Sequence, residues 1–388
     1  MNKPKHGAKQ GAAITAALVF VCLSALIFAL HTGALRPGSE KTESAPESVM
    51  TAYFLDVGSA DCSLFVNGNN ALVIDAGQDG NRAASLLTRL RKENCPEDTL
   101  QVTCVITHPH ADHVNGFSKL IGDSGTPQSA YRVTAIYTSV LPEGGAPGED
   151  SSTGENERGE STAYQRLIAR AEEKGIPVAV PEDRAELTIG GMRVSLYLPK
   201  VRAASLNDRS IVTRVQFGDT VMLVAGDAEA KEEKALLDGN YPVKADLLRV
   251  AHHGSDTGTG EKWLTRVHPV WAVISVGADD PYQNPDPNVL DRLSRAHCTL
   301  WQTRYDGTVV AVSNGKSLTV TGEKPAEAQE TGPFVGNRRP GSMKLHKAGS
   351  ACVETMAEKN KKYFSSAESA LSEGYVPCKV CFPDGLTP

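Results

Sequence analysis

The chain is 388 residues long, with 40% hydrophobic and 22% charged residues, an ordinary globular mixture that supplies a sizeable core. Its formal net charge of −6 argues against a broad basic face and gives no general electrostatic reason to bind nucleic acid. The length suits one domain of roughly 250 residues plus a smaller module.

In chain order, Lys3, Lys5 and Lys9 precede the uncharged run GAAITAALVFVCLSALIFAL (11–30). At the helical rise such a run reaches about 30 Å, enough to cross a bilayer core. The lysines should stay inside. Residues 1–31 are therefore expected to be a transmembrane signal anchor with everything after it outside the cytoplasm. The alternative is a signal peptide cleaved near the small residues Thr32 and Ala34, giving a secreted protein. Cys22 lies within the run without a lipobox.

The next stretch, 32–50, contains RPGSEKTESAPES (36–48) and reads as a disordered tether. From 51 to 320 the chain alternates short β-rich runs (TAYFLDV, ALVID, VTCVIT, VMLVAG, ADLLRV, AVISV) with helically spaced ones (GNRAASLLTRLRK, AYQRLIARAEEK, PNVLDRLSRA). That is an α/β pattern. PEGGAPGEDSSTGENERGEST (142–162) is expected to be a surface loop. GEKPAEAQETGP (322–333) marks a second linker, placed at 321–332, and leaves a C-terminal module over 333–388.

Residues 107–117, THPHADHVNGF, place His108, His110, Asp112 and His113 within six positions of a chain that has ten histidines in all. The strand VTCVIT runs into His108, and a helix is expected to start near His113 or Val114. The cluster thus lies at the carboxyl end of a strand, where α/β sheets place their ligand sites. Imidazoles and a carboxylate suit Zn²⁺, Mn²⁺ or Fe²⁺. Histidines two apart on an extended loop point the same way, while Asp112 and His113 can turn toward a second ion. Three more strand ends add polar residues. VMLVAGD ends in Asp227, whose carboxylate can bridge two cations. LLRVAHHGS ends in His252 and His253, and ALVIDAG carries Asp75, a carboxylate to orient the histidine loop.

D-A-G, H-P-H-A-D-H, A-G-D and H-H-G-S, in this order, resemble the metallo-β-lactamase superfamily. FLDVGSADCSLF, NDRSIV and VAHHGSD resemble its ComEC-type branch, the extracytoplasmic domain of DNA-uptake proteins. The resemblance covers 51 to about 320 and implies an αββα sandwich. It implies that His108 and His110 hold one ion, that Asp112, His113 and His253 hold the other, and that Asp227 bridges. Asp112, Asp227 and His252 would carry the chemistry, His252 as proton donor to the leaving group, or else as a structural histidine. Asn207 stands where the wider superfamily often has another metal histidine, so the first ion is held more weakly or completed by water. Two departures stand out. The branch reads DVGQGDA where this chain has DVGSADC, so Asp56 and Asp61 match but the loop between does not. YQNP replaces a motif ending in histidine-proline, with Asn284 at the histidine position. Ser255, Tyr282 and Asn284 are the expected substrate-contact positions at the mouth.

Two divalent ions, Zn²⁺ or Mn²⁺, about 3.5–4 Å apart would lower the pKa of a bridging water toward neutrality, so hydrolysis is the expected reaction. Neither a nucleophilic Ser or Cys elbow nor a Gly-rich phosphate loop is visible. Phosphodiester, lactam and thioester substrates all remain chemically open. The resemblance favours phosphodiesters, with DNA first. A hydrolase of small phosphoesters, such as phosphorylcholine esters, or of lactams is the second reading. A non-catalytic module that captures DNA for an uptake channel is the third, and the full ligand set argues against it.

In the C-terminal module His346, Cys352, Cys378 and Cys381 give H-x5-C-x25-C-x2-C, a tetrahedral set for one structural Zn²⁺ in a domain too small for a full core. A disulfide is the alternative outside the cytoplasm, and a pair across C-x2-C would leave Cys352 single. FVGNRRPGSMKLH and NKKYFSSAESALSEGYVPCKVC resemble the metal-binding domain of the Ada DNA-repair proteins. There a cysteine, the methyl acceptor, sits where this chain has His346, so the resemblance implies DNA contact rather than alkyl repair. Residues 333–388 hold eight Lys or Arg against five Asp or Glu. Cys62, Cys95, Cys104 and Cys298 show no metal spacing, and Cys62 and Cys104 read as core residues.

Overall fold

The computed structural model describes residues 49–95, 98–125, 129–141, 162–201, 205–278, 280–324, 334–337, 342–357, 360–364, 367–383 and 385. The expected anchor (1–31), the tether (36–48), the loop 142–161 and residues 325–333 of the second linker lie outside these. Among the described residues no helix is long and apolar enough to cross a membrane.

Alternation of side chains along each strand decides the layering. The strands in chain order are β1 (Met50–Phe54), β2 (Ser63–Asn67), β3 (Asn70–Ile74), β4 (Leu100–Ile106), β5 (Tyr131–Thr138), β6 (Val178–Ala179), β7 (Ala185–Ile189) and β8 (Met192–Tyr197). They continue with β9 (Val212–Phe217), β10 (Thr220–Val224), β11 (Leu247–Arg249), β12 (Trp271–Ile274), β13 (Thr299–Gln302), β14 (Val309–Ser313) and β15 (Leu318–Gly322). In β3, Leu72 and Ile74 join one apolar cluster and Ala71 and Val73 another; in β10, Met222 and Val224 join the first of these and Val221 and Leu223 a third. The shared cluster lies between an eight-stranded sheet, β15-β14-β1-β2-β3-β4-β5-β6, and a seven-stranded sheet, β13-β12-β11-β10-β9-β8-β7. Strands buried on both faces read as continuous apolar runs, as VTCVI and VMLV do.

Helices cover the outer faces. α1 (Asn81–Asn94), α2 (Ala111–Val114), α3 (Phe117–Asp123) and α4 (Thr162–Glu173) belong to the first sheet, α5 (Ala230–Asp238), α6 (Glu261–Val267) and α7 (Pro287–Arg295) to the second. The result is the expected αββα sandwich. β1 pairs on one side with β2 and on the other with β14, so the two ends of the domain share one sheet. Cys62 and Cys104 are fully buried in the first sheet's outer core, as expected.

What matters for function is direction. β3 and β4 run parallel, as do β10 and β11, so their carboxyl ends deliver the segments that begin at Asp75, Thr107, Ala225 and Val250. A separate four-stranded sheet, β18-β16-β17-β19, forms the C-terminal module from β16 (Phe334–Asn337), β17 (Lys344–Lys347), β18 (Lys361–Phe364) and β19 (Val376–Pro377).

Candidate metal centre

The histidine loop is pinned by Asp75. That residue takes a left-handed backbone (φ 55), and its carboxylate accepts from Thr107 N at 2.8 Å, Thr107 Oγ1 at 2.7 Å and His113 Nδ1 at 2.8 Å. Helix α2 starts at Ala111, earlier than expected, because His110 keeps an extended backbone and caps it. Two glycines permit the close approach. A Cβ on Gly116 would sit 2.0 Å from the Ala76 carbonyl oxygen, and one on Gly226 2.9 Å from Thr107 Cβ. Gly116 thus lets the Asp75 turn, and Gly226 the Asp227 turn, lie against the histidine loop.

One carboxylate oxygen is the centre of the site. Asp227 Oδ2 lies 3.3 Å from His113 Nε2, 3.6 Å from His108 Nε2 and 3.9 Å from His252 Nε2. His108 Nε2 lies 3.0 Å from His110 Nδ1. Asp112 Oδ2 is 3.4 Å from His113 Nε2 and 3.1 Å from His253 Nε2. Two donors bound to one four-coordinate ion at ordinary bond lengths sit about 3.3 Å apart, so these separations fit metal ligation. All six residues expected as ligands, His108, His110, Asp112, His113, Asp227 and His253, are thus brought together.

Electrostatics point the same way. Burial would lower His113, but Asp227, Asp112 and Asp75 overcome it and hold the imidazole well above its usual range. Burial is likewise overcome at His253, which Asp61, Asp112 and Asp227 push up to about 9. Burial would raise Asp112 and Asp227, yet the neighbouring imidazoles, His113 foremost, hold both carboxyls well below the usual range. His108 goes the other way, pushed well down by burial and by His113. A field that draws protons onto imidazoles is a field that favours a divalent cation in their place. His113 Nε2 and Asp227 Oδ1 are buried with no hydrogen-bond partner, as donors awaiting an ion would be. The residues fit the metals that the ligand set implies.

Sequence reading passed over Arg249 and gave Asp61 no role. Arg249 is fully buried; its guanidinium pairs with Asp61, donates to the Gly226 carbonyl at 2.7 Å and lies 4.0 Å from Asp227 Oδ1. The signal was present as a charge inside the apolar run LLRV. Ligand-type atoms of Asp61, His113, Asp227 and His253 also lie within 4.8 Å of one another. Asp61, however, faces the Nδ1 atoms of His113 and His253, at 3.7 and 3.9 Å, which already donate to Asp75 and to the Ser275 carbonyl. We therefore place Asp61 behind the ligands and Asp112 among them.

The remaining expected residues lie beside the His252 turn or on the loop that follows β12. Asn207 Nδ2 lies 3.3 Å from Glu229 Oε1 and 3.4 Å from His252 Nε2. Ser255 closes the turn after the histidine pair, its N donating to the His252 carbonyl and its Oγ facing Thr257. Tyr282 and Asn284 lie on the loop that follows β12. Pro285 of that loop packs on Gly254, where a Cβ would meet it at 2.5 Å, so the loop borders the site, with Tyr282 83% exposed.

In the C-terminal module, ligand atoms of His346, Cys352, Cys378 and Cys381 lie within 4.8 Å of one another. Cys381 Sγ is 3.5 Å from His346 Nδ1, and Cys352, Cys378 and Cys381 are free thiols. Burial and Cys381 push Cys352 up to about 11, whereas at Cys378 burial is outweighed by backbone N–H groups of Cys381 and Val380, which lower it.

Among known proteins, the chain is 29% identical to ComE operon protein 3 of Bacillus subtilis over 146 residues, which make 37% of this chain and 19% of that protein. It is 28% identical to Recombination protein 2 of Haemophilus influenzae over 260 residues, 66% of this chain and 28% of that one. It is 38% identical to Competence protein ComA of Neisseria gonorrhoeae over 93 residues, 24% and 13% of the two chains. The chain thus spans less than a third of each relative. The family profile of the metallo-beta-lactamase superfamily matches residues 55–277, the stretch that holds every ligand-type residue of the main site, and the chain belongs to that superfamily, within its ComEC-type branch.

Proposed function

We propose that this metal-dependent hydrolase cleaves phosphodiesters, DNA first among them, outside the cytoplasm. The observation that carries the proposal is the convergence of three imidazole Nε2 atoms within 3.9 Å of one Asp227 oxygen. His108, His110 and Asp227 would hold one divalent ion, zinc or manganese; Asp112, His113, His253 and Asp227 would hold a second. Bound ions supply Lewis acidity and a water acidified toward neutrality. The chain's own part is to orient the donors. Asp75 fixes His113 through Nδ1, and the Ser275 carbonyl fixes His253 in the same way.

DNA as substrate is supported by relatives named as competence and recombination proteins and by the exposed Tyr282 on the loop whose Pro285 packs on Gly254, since aromatic faces stack on unpaired bases. Residues 11–30 would anchor the enzyme in the membrane. The C-terminal Cys₃His cluster would hold one zinc, and its module would bring DNA to the site, in line with a DNA-uptake machinery as partner. The test is the full-length chain incubated with Zn²⁺, Mn²⁺ or Mg²⁺ and single-stranded DNA, duplex DNA, a small phosphodiester, phosphorylcholine esters and a lactam. Cleavage of DNA and of the small phosphodiester is expected. Turnover of the lactam or phosphorylcholine esters alone would overturn the substrate assignment.

A further inference from the structure

His252 and His253 are neighbours in sequence but serve different parts of the centre. Both take left-handed backbones, φ 49 and 53, and their rings stand 6.3 Å apart at 61°. His253 Nε2 faces Asp112 at 3.1 Å. His252 Nε2 instead lies 3.9 Å from Asp227 Oδ2, the oxygen that His108 and His113 also approach, at 3.6 and 3.3 Å. The other nitrogen of His252 is occupied: Nδ1 lies 2.9 Å from Thr257 Oγ1 and 3.6 Å from Glu229 Oε1. A carboxylate and a hydroxyl on Nδ1 place the hydrogen there and turn the Nε2 lone pair inward, the arrangement usual for metal-bound imidazoles. The Asn207 amide nitrogen donates to Glu229 Oε1 at 3.3 Å and lies 3.4 Å from Nε2, so its side chain borders the same point.

The first ion has one protein donor fewer than the second, which Asp112, His113, His253 and Asp227 would share. His108, His110 and Asp227 give it three protein ligands, one short of a four-coordinate shell. We propose that His252 supplies the fourth, so that it is a ligand of the first ion rather than the proton donor that its place in the sequence suggests. Asn207 and Glu229 then position it. The proposal rests on the two-ion reading of the site.

Mn²⁺ tests it, because manganese takes the N/O donors of the main site and leaves the thiolate cluster of the tail. The metal-stripped full-length chain is titrated with Mn²⁺, with bound ions counted from the free-ion EPR signal and their coupling read from the bound spectrum. The wild type should bind two spin-coupled ions. His252→Ala should keep one ion at wild-type affinity, which shows the fold intact, weaken the other at least ~10-fold, and lose the coupled spectrum. Asn207→Ala should weaken it less. Asn207→His in the His252→Ala background should restore the weakened first ion, since the two side chains face one point. Two ions at wild-type affinity in His252→Ala would overturn the proposal while leaving the two-ion reading intact. A wild type that binds fewer than two ions would sink both.

Discussion

Arg249→Met removes a buried cation and leaves its volume nearly filled. Arg249 is fully buried and Asp61 only 3% exposed, so the loss strands the Asp61 carboxylate, leaves the Gly226 carbonyl without its 2.7 Å donor and takes a positive charge from 4.0 Å behind Asp227. Removing one partner of a buried ion pair costs ~3–5 kcal/mol, because the other charge stays desolvated and uncompensated. A domain holds only ~5–15 kcal/mol in total, so the variant should lose a large part of its stability. Asp61→Asn with Arg249→Met should recover much of this, giving a coupling energy of ~2 kcal/mol or more in a double-mutant cycle. The assay is urea unfolding followed by tryptophan fluorescence on metal-stripped protein, because bound ions would add their own stabilisation. If Arg249→Met costs under ~1 kcal/mol, or if the double variant loses the sum of the two singles, the pair does not hold the two sheets' turns together as described.

Three further outcomes are expected. Asp75→Asn should weaken metal binding ~10- to 100-fold by freeing His113, with the fold retained by circular dichroism; unchanged affinity would remove Asp75 from its positioning role. Burial pushes Glu233 up to about 7, above the ordinary glutamate value of about 4.3, so its contribution to stability is full below about pH 4.3 and is lost as pH rises through 7. Glu233→Gln should therefore flatten the fall in Tm between about pH 5 and 8, and an unaltered slope would show that the carboxyl is not held neutral. Deleting residues 333–388 should remove one zinc per chain and raise the apparent KM for long DNA, with kcat on a small phosphodiester nearly unchanged. An unaltered KM would leave the tail a structural or protein-docking role.

The layers and the gathering of the candidate ligands at one sheet edge were legible because local patterns announce them. ALVID, VTCVIT and VMLVAG announce buried strands, and the polar residues that end them can only emerge at the strands' carboxyl ends. The pairing of β1 with β14 was not legible, since it joins residues more than 250 positions apart through a register that no local pattern states. Arg249 was hidden inside a strand whose neighbours are all apolar, and its partner Asp61 comes from the other sheet's side of the chain, 188 residues away. The division between His252 and His253 depends on two successive positive φ angles, which Gly254 hints at but does not dictate. Lys362, counted in the tail's basic excess, turns out to pair with Glu373, which lessens the charge it can offer to DNA.

The central claim is that two ions at one bridging carboxylate perform the hydrolysis. Cleavage of a small phosphodiester and of DNA should be followed as Mn²⁺ equivalents are added to the metal-stripped full-length chain and to Asp227→Ala. The account predicts little turnover at one equivalent, a rise to full rate as the second ion binds, and no turnover by Asp227→Ala at any equivalent, with its circular dichroism unchanged. Full activity with a single ion, or a rate within a few-fold of wild type for Asp227→Ala, would contradict it.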